Sequence, residues 1–503
     1  MTRWPTVDRS PTPTGWARPG NLMPAVGPSS WPRGRRAMTE AEEILATAEA
    51  WWDVDRSNFR DGDRFLRNIG TAGSALDLRL GSSGVANSND PKYLAPEDTG
   101  YVYLPGVAAN RLSVPSATAL DITGDLSIVL TVAPDSWTPS ADNSLLTKDH
   151  QGAAANRSWY LNLTNTGTLQ FVWWDSGGTA RVTTSNASIS AQPGVVLTVR
   201  VSLQVNNGAG GHVVTIYTST NFGSTWTQLG TTLNAGAFTT SVQVTTAAVQ
   251  LGAAGAAGTS AMLSGKVYRA SVYSDVTLST NVLTVDADAI TSGAATTFTA
   301  TTGQTVTINR ATSGRKSVAM PSKAKGGRPC MLLGTDDYLE CQDAAQHGLL
   351  NFGSADSFTM FAVMRPWTTM TDKMILSKAP SIAATMTGYI FYCSGTALLS
   401  NRFGDGVNRQ IPIEPVITYG TRQMVGLTRN TFAKTRSAII NGASSGLGTD
   451  TTTMSLASRD PLFIGRAAAT SYADMEFTAA AIFRRALTAR EITVLNNAAP
   501  WGV

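Results

Sequence analysis

The strongest constraint on the fold is a stretch of alternating side chains that occurs twice in the chain. The second copy runs from Asp356 to Trp367 as DSFTMFAVMRPW, and the first runs from Asp125 to Trp137 as DLSIVLTVAPDSW. Side chains that alternate at period two predict a β-strand with one face in a core. The proline near the end of each copy predicts where the strand stops. The sequence therefore predicts one β module used twice.

The segments after each copy repeat in the same order. Leu145–Lys148 matches Ile375–Lys378, and Leu169–Asp175 matches Leu398–Asp405, at an offset of about 230 residues. Between these segments lie short apolar runs separated by Gly, Asn and Pro, a pattern typical of a β-sandwich or barrel. In the second half we expect strands that include Lys373–Lys378, Gly388–Cys393, Arg422–Thr428 and Met475–Phe483, and a hairpin over Cys330–Cys341.

Composition limits the classes of protein to consider. Of 503 residues, 42% are hydrophobic but only 15% are charged, a balance that favours β-sandwiches over salt-bridged helices. The net charge of +4 comes from residues 1–37, which hold six Arg and one Asp. The rest of the chain therefore has no positive excess to attract nucleic acid, and we expect no nucleic-acid partner. We also expect no membrane span and no exported precursor, because no long apolar run or signal segment occurs.

The predicted organisation has three parts. Residues 1–37 form an extended basic arm rich in proline, 38–320 form the first sandwich with a leading helix and trailing strands, and 321–503 form the second sandwich. Capping boxes predict a short helix from Met38 to about Trp52, capped by Thr39 with Glu42, and another that starts at Thr488 with Glu491. A polar, glycine-rich joint, Ser322–Arg328, connects the two sandwiches.

The N-terminal arm contains too much proline for regular helix or sheet pairing. It can be a disordered tail, or an arm that docks on a neighbouring subunit. Its three tryptophans are costly to leave in water, which favours docking. The candidate docking residues are Trp4, Trp16, Trp31, Arg33, Arg35 and Arg36.

The second module resembles the laminin-G-like, concanavalin-A-type lectin jelly roll. The likeness is carried by Leu333–Leu339, Ile375–Lys378, Ile439–Gly442, Leu462–Arg466 and the closing Ile482–Ile492. The first module resembles it through Asp125–Trp137, Leu145–Lys148 and Val267–Tyr273. The resemblance implies an all-β fold class, with two tandem antiparallel jelly-roll sandwiches, an extended Pro/Arg-rich arm and short capping helices. Such sandwiches serve binding, scaffolding and hydrolysis alike.

The overall layout resembles the minor tail proteins of phages that infect actinobacteria. The resemblance rests on the basic proline-rich arm, the two lectin-like sandwiches and the Ala-Thr-Gly-Ser bias. It implies a virion structural protein of the tail tip, assembled in the host cytoplasm, with other tail proteins as partners. We expect a homo-oligomer, with a trimer as the working assumption, and host-surface glycan as a further partner. The alternatives are a carbohydrate-binding adhesin, a capsid decoration protein and, as the weakest, a cell-wall glycan hydrolase.

Trp173 and Trp174 are the candidate contact residues. As neighbours on a predicted strand they face opposite sides. One should enter the core, and the other should reach the surface or a seam between the modules. An exposed tryptophan beside Asp175 could stack on a sugar ring, but packing against a subunit is the stronger interpretation.

No catalytic or metal site is predicted, and we expect neither an enzyme nor a cofactor. A glycosidase needs two carboxylates across the bond, and Asp474 and Glu476 are explained equally well by a position at the sandwich rim. His150, His212 and His347 are scattered without ligand spacing. Calcium at the rim is unsupported, because Asp149 in the first copy corresponds to Ala379 in the second.

Two further motifs have structural interpretations. Ser219–Trp226 resembles the Asp-box hairpin, with Asn221 where aspartate is usual, and such a side chain stabilises the turn. Cys330 and Cys341 would lie opposite one another in the expected hairpin, close enough to bridge. A protein assembled in the cytosol keeps such thiols reduced, so we expect free cysteines.

Overall fold

The computed structural model describes most of the chain from Thr39 to Ala498. The described ranges are 39–60, 64–81, 90–150, 156–234, 239–341, 348–367, 372–379, 385–394, 398–407, 409–410, 415–467 and 471–498. Among these residues the strands form four sheets, and every pair of neighbouring strands is antiparallel. The predicted all-β class with two antiparallel sandwiches is confirmed. The predicted arm, residues 1–37 with its tryptophans and arginines, lies outside the described residues.

Sheets 1 and 2 form the first sandwich. In spatial order, sheet 1 consists of β12 (Ala180–Thr184), β11 (Leu169–Trp174), β10 (Arg157–Leu163), β9 (Asn143–Asp149), β17 (Val249–Leu251), β7 (Arg111–Val114), β21 (Thr305–Asn309) and β20 (Thr297–Thr299). Sheet 2 consists of β15 (Thr227–Gln228), β14 (Val213–Ser219), β13 (Leu197–Gln204), β8 (Leu126–Pro134), β18 (Ser264–Tyr273), β6 (Tyr101–Pro105) and β22 (Val318–Met320), with β16 (Leu233–Asn234) also on β14 and β19 (Asn281–Asp286) also on β18.

Sheets 3 and 4 form the second sandwich. Sheet 3 consists of β32 (Ala443–Thr449), β31 (Thr435–Ile440), β30 (Gln423–Asn430), β25 (Phe358–Pro366), β34 (Met475–Phe483), β23 (Cys330–Leu333) and β5 (Lys92–Leu94), with β1 (Ala50–Asp53) also on β34. Sheet 4 consists of β2 (Phe59–Arg60), β3 (Phe65–Leu66), β4 (Leu78–Leu80), β24 (Leu339–Cys341), β33 (Leu462–Ile464), β26 (Lys373–Lys378), β27 (Thr387–Ser394), β28 (Leu398–Asp405) and β29 (Arg409–Gln410).

The four sheets stack in the order 1, 2, 3, 4. One apolar core, which includes Leu130 and Trp159, lies between sheets 1 and 2, and a second, which includes Met360 and Phe391, lies between sheets 3 and 4. A third cluster joins the outer face of sheet 2 to the outer face of sheet 3. We call this contact the seam. Its apolar residues are Leu94, Tyr101, Tyr103, Ala133, Tyr268, Val318, Met320, Cys330, Leu332 and Trp367.

Two helices cover another part of the outer face of sheet 3. The first is α1 (Glu40–Leu45), which begins at the predicted capping box: Thr39 accepts a bond from Glu42 N–H and Glu42 bonds back to Thr39 N–H. The second is α2 (Ala489–Ala498), where Thr488 and Glu491 exchange bonds in the same way. Apolar side chains of both helices pack on β25, β30 and β34. Both predicted helices form, but the first is shorter than expected, because it ends at Leu45 and Ala50–Asp53 is strand β1.

The predicted repeat is visible in the order of the strands. In sheet 2 the order β14-β13-β8-β18-β6-β22 corresponds strand by strand to β31-β30-β25-β34-β23-β5 in sheet 3. In sheet 1 the order β12-β11-β10-β9-β17-β7-β21-β20 corresponds to β29-β28-β27-β26-β33-β24-β4-β3 in sheet 4. The two sandwiches are therefore copies of one topology.

The division of the chain differs from the predicted boundaries at one place. We expected the leading helix and the strands up to residue 94 to belong with the first sandwich, within 38–320. Instead β1 pairs with β34, β4 with β24 and β5 with β23, all in the second sandwich. The physical reason is that a strand pairs with whichever sheet edge is open, and that edge need not be near in sequence.

The predicted hairpin over Cys330–Cys341 is wrong. β23 lies in sheet 3 and β24 in sheet 4, so the chain turns over from one layer to the next between them. The turn is held by Asp337, which accepts a bond from Gly334 N–H at 2.7 Å and pairs with Arg315. Cys330 and Cys341 therefore lie in different sheets, and both, like Cys393, are buried free thiols, as expected.

Candidate functional site at the seam between the sandwiches

The predicted tryptophan pair is built into the first sandwich rather than presented on its surface. Trp173 enters the core and meets the ring of His212 edge-on at 5.2 Å. Trp174 faces outward, as the alternation predicts, but only 6% of it is exposed. Arg157 lies over its ring at 5.2 Å and Tyr160 packs against it at 5.7 Å. The expectation of an exposed ring for sugar stacking is therefore corrected.

Asp175 stabilises the turn that follows Trp174. Its carboxylate accepts bonds from the N–H groups of Gly177 and Thr179, each at 3.0 Å, and from Arg181 Nε at 2.9 Å. Burial opposes ionisation of this carboxyl, but the bonds from Thr179 and Arg181 outweigh it and hold the pKa of Asp175 below its usual value. The carboxylate of Asp175 is therefore engaged by residues of its own chain.

The other sequence candidates also have structural roles. Asn221 accepts a bond from Thr225 N–H at 2.9 Å, which confirms the interpretation of the Asp-box-like hairpin as a turn device. His150 Nε2 accepts a bond from Ala248 N–H at 3.1 Å, and His347 lies outside the described residues. Within the described ranges, no group of three or more His, Cys, Asp or Glu side chains is placed to hold a metal ion.

An open, polar cleft lies at the seam and encloses about 350 Å³. We call it the seam cleft. The first sandwich and its trailing strands, the glycine-rich joint and the second sandwich all contribute to its walls. The lining residues are Thr291, Ser292, Gly293, Ala319, Met320, Pro321, Gly326, Gly327, Arg328, Arg365, Arg422 and Glu476.

The base of the seam cleft is an ion pair between neighbouring strands. Arg365 near the end of β25 is directly opposite Glu476 near the start of β34, and Arg365 Nη1 donates to Glu476 Oε2 at 2.6 Å. Both residues are almost fully buried, with 5% and 1% exposed. Arg365 Nε and Glu476 Oε1 are buried without a hydrogen-bond partner. Buried polar atoms of this kind normally have partners, so the cleft offers one donor and one acceptor to a ligand.

More guanidinium groups than carboxylates surround this pair. Arg422 Nη2 lies 4.0 Å from Glu476 Oε2, and Arg328, which is exposed, lines the mouth. Burial lowers the pKa of Arg422, although the charge of Glu476 opposes this. Three arginines therefore face one carboxylate in the lining, so the cleft has an excess of positive charge that suits an anionic ligand.

Trp367 separates a fourth arginine from the seam cleft. Its ring lies between Arg310, whose Cζ is 4.4 Å from the ring centre, and Arg365, whose Cζ is 5.5 Å away. Arg310 donates to the carbonyls of Ser317 and Ala295, both at 2.9 Å. Burial lowers the pKa of Arg310 to about 10, with Glu476 opposing and Arg365 adding to the shift. The stack fixes the guanidinium of Arg365 beside Glu476.

Sequence reasoning missed the cleft, although one signal was present. Arg365 and Glu476 occupy opposed positions that correspond, in the first copy, to Ala133 and Lys266. The two copies thus differ in charge at equivalent positions of paired strands. In the sequence Glu476 stands out only as a member of an acid pair with Asp474, whereas in the structure Asp474 lies 3.6 Å from Lys316 across the seam.

Comparisons with known proteins find similar solved structures. No family model matches it, and no curated protein does. A similar solved structure is that of domains LG4-5 of the mouse laminin alpha1 chain, at 13% identity and a TM-score of 0.28, covering 82% of this chain and 95% of that one. Another is the binding domain of Paraclostridial Mosquitocidal Protein 1, at 16% identity and 0.28, covering 34% of this chain and 43% of that one.

A third similar structure is the CBM40 of the Ruminococcus gnavus IT-sialidase bound to alpha2,3 sialyllactose. It matches at 18% identity and a TM-score of 0.25, covering 37% of this chain and 90% of that one. Laminin G and carbohydrate-binding domains, the types that the sequence resembles, are thus among the similar structures. No helix among the described residues is long and apolar enough to cross a membrane.

Proposed function

We propose that this chain is a non-catalytic attachment protein of a phage tail, which binds a carboxylated saccharide in the seam cleft. The observation that carries the binding proposal is the buried pair at the base of the cleft, in which Arg365 Nε and Glu476 Oε1 have no hydrogen-bond partner. A sugar hydroxyl can donate to the free oxygen of Glu476, while a carboxylate can accept from the arginine. A carboxylated sugar supplies both groups on one small ligand.

Binding without cleavage fits the acidic residues around the cleft. Glu476 is engaged by Arg365, and Asp474 faces Lys316. A glycosidase of the common type needs one protonated and one ionised carboxyl on opposite sides of the bond. Asp474 directly precedes β34 and Glu476 is its second residue, so the two carboxyls come from the same end of one strand. This arrangement supports a binding role.

The place of the protein in a phage tail is a proposal from the sequence. Its basis is the resemblance of the layout to minor tail proteins, with residues 1–37 as the docking arm and other tail proteins as partners. The host-facing part would then be the two stacked sandwiches. Their location would be the virion, after assembly in the host cytoplasm.

The binding proposal is tested by calorimetric titration of the full chain with oligogalacturonate. We expect saturable binding that weakens as salt is added, and no binding of a neutral galacto-oligosaccharide of equal length. Arg328→Ala should raise Kd about tenfold, because it removes one charge-assisted contact at the mouth. Arg459→Ala, at an exposed arginine outside the cleft lining, is the matched control. Equal binding of charged and neutral sugars, or an unchanged Kd in Arg328→Ala, would overturn the proposal.

The tail assignment has a separate test. Antibody against residues 328–497, detected with gold on purified particles, should label the tail tip. Gold over the head would instead indicate capsid decoration, and intact particles without gold would remove the virion assignment altogether. Neither result depends on whether the seam cleft binds sugar.

A further inference from the structure

Each half of the repeat begins with a segment of short strands that precedes its main strands. Leading segment 1 is residues 50–94, with β1 to β5, and leading segment 2 is residues 281–320, with β19 to β22. The segments occupy equivalent places: β1 and β19 flank β34 and β18, while β5 and β22 end sheets 3 and 2. The two leading segments are therefore corresponding parts of the two copies.

Neither leading segment joins the sandwich that follows it along the chain. Leading segment 1 precedes the first sandwich but completes the second, through the pairs β4 with β24 and β5 with β23. Leading segment 2 precedes the second sandwich but completes the first, through β21 with β7 and β22 with β6. Each sandwich is therefore completed by the leading segment that precedes the other sandwich in the sequence.

Leading segment 1 supplies a substantial part of the second core. Trp52, Leu66, Leu76 and Leu78 are fully buried there, and Trp52 Nε1 donates to the carbonyl of Leu76 at 2.7 Å. Its outer face adds an ion pair, in which Arg79 Nη2 lies 2.8 Å from Glu340 Oε2. The bond of Trp52 lies within the segment, but the shared core and the Arg79–Glu340 pair join it to residues more than 200 positions away. Nothing in those long-range contacts requires that both partners belong to the same molecule.

Two short connections pass between the sandwiches, residues 95–100 from β5 to β6 and the joint from β22 to β23, and the joint is the one that attaches the second sandwich to the strands before it. The chain passes from β22 in the first sandwich to β23 in the second through the joint Ser322–Arg328. The joint turns tightly, because Gly327 N–H bonds to Ser322 O at 3.1 Å and Lys323 N–H bonds to Glu97 O at 2.8 Å. If the joint extends instead, the second sandwich separates from leading segment 1 of its own chain. Leading segment 1 of another chain can then pair with it.

We propose that a second copy of this chain can supply the leading segment 1 that completes the second sandwich. Two chains exchange their second sandwiches through an extended joint, and leading segment 1 of each pairs with β23, β24 and β34 of the other. All contacts of the two sandwiches are kept, and only the contacts of the joint are lost. Such an exchange of identical parts is a low-cost route to a dimer.

Gly327 is the residue of the joint that favours the closed form. A Cβ at this position would lie 2.1 Å from the carbonyl oxygen of Pro321 and 2.8 Å from Pro96 Cβ. The first of these contacts is with backbone, so any larger side chain must open the turn. Gly327→Val should therefore shift the chain toward the exchanged dimer without touching either core. Ala324→Val, at an exposed position of the same joint, is the matched control.

The experiment uses full-length chains carrying Arg79→Cys and Glu340→Cys, at directly opposed positions of β4 and β24. Chains with two different tags are mixed unfolded, refolded at a series of concentrations and oxidised. We expect covalent dimers that contain both tags, in a fraction that rises with chain concentration and rises further with Gly327→Val. Gln170→Cys with Thr184→Cys, a pair within one hairpin, should give only internal links.

The possible results distinguish an exchanged dimer from an unexchanged chain and from random association. Internal links alone at every concentration, in both joint variants and in the unaltered joint, would overturn the proposal. Mixed dimers that form equally well with the hairpin pair would also overturn it, because they would report random association. If Gly327→Val does not fold, the concentration series with the unaltered joint decides by itself.

Discussion

Two buried lysines in corresponding strands of the two copies hold loops to their sheets. Lys148 and Lys378 occupy corresponding strands, β9 and β26, and both are fully buried. Lys378 Nζ donates to the carbonyls of Ser458 and Asp460 at 2.8 and 2.9 Å, and Lys148 donates to the carbonyl of Thr245. Burial lowers the pKa of Lys378 to about 8. Each lysine thus ties the preceding loop of β33 or β17 to the sheet, a role that the sequence pattern does not reveal.

Asp53 gives a prediction about pH at the residue scale. Burial, and then the charge of Asp55, raise the pKa of Asp53 to about 6, with Arg328 opposing. The folded protein therefore binds more protons than the unfolded chain between about pH 4 and 6, so stability should fall as pH rises through this window. In Asp53→Asn the side chain cannot ionise, so this loss of stability with rising pH does not occur. Because the pKa of Asp53 is raised by about two units, the free energy of unfolding of Asp53→Asn should exceed that of the wild type by about 3 kcal/mol at pH 7.

Urea denaturation at pH 3.5, 5 and 7 measures this difference. It should be near zero at the lowest pH and largest at pH 7. Asp98→Asn, at a side chain that is 94% exposed, should show no such trend. A constant difference across the series would contradict the assignment of the shift to Asp53.

At the scale of elements, the local sequence pattern sets where a strand begins and ends, whereas long-range pairing sets which strands are its neighbours. The strands expected at Lys373–Lys378 and Met475–Phe483 form with those bounds, because strict alternation and flanking turn residues determine them locally. β3 and β4 have two and three residues, too few for a period to show. Their partners are decided by which edges the long strands leave open.

Trp52 tests the dependence of the second sandwich on leading segment 1. Trp52→Ala should lower the free energy of unfolding by about 3 to 5 kcal/mol, because it leaves a large cavity in that core. Hydrogen exchange should show faster exchange in β23 and β34, more than 270 residues away in sequence, and little change in β8 and β13. Trp159→Ala, in the first core, should give the opposite pattern. Loss of protection in β8 rather than β34 would contradict the observed pairing.

At the scale of the whole molecule, the seam makes the two sandwiches one body. Aromatic and apolar side chains from sheets 2 and 3 meet there, and Trp367 lies between two guanidinium groups. The ion pair of Lys316 with Asp474 and that of Arg315 with Asp337 also cross from one sandwich to the other. We therefore expect the sandwiches to unfold together.

Trp367→Ala should uncouple the two sandwiches. Without the ring, Arg310 and Arg365 face each other across the seam with no aromatic surface between them, and like charges repel. In calorimetry the single unfolding transition expected for the wild type should separate into two. Trp137→Ala, at the tryptophan that ends the first copy of the alternating stretch but lies inside the first core, should lower the melting temperature of the single transition without dividing it. One undivided transition in Trp367→Ala would show that the seam depends on other contacts.

The sequence alone determined the long strands and the helix caps, because each depends on side-chain patterns within about ten residues. It also determined the repeat and the two-sandwich class, because those local patterns recur in the same order in both halves of the chain. It also identified Ser322–Arg328 as a joint. Only the tertiary structure decided that Trp174 is covered, that Cys330 and Cys341 lie in different sheets, and that residues 50–94 complete the second sandwich. It alone brought Arg328, Arg365, Arg422 and Glu476 together. Those outcomes depend on which sheet edges and sheet faces come into contact in the folded chain, and no local sequence pattern specifies those contacts.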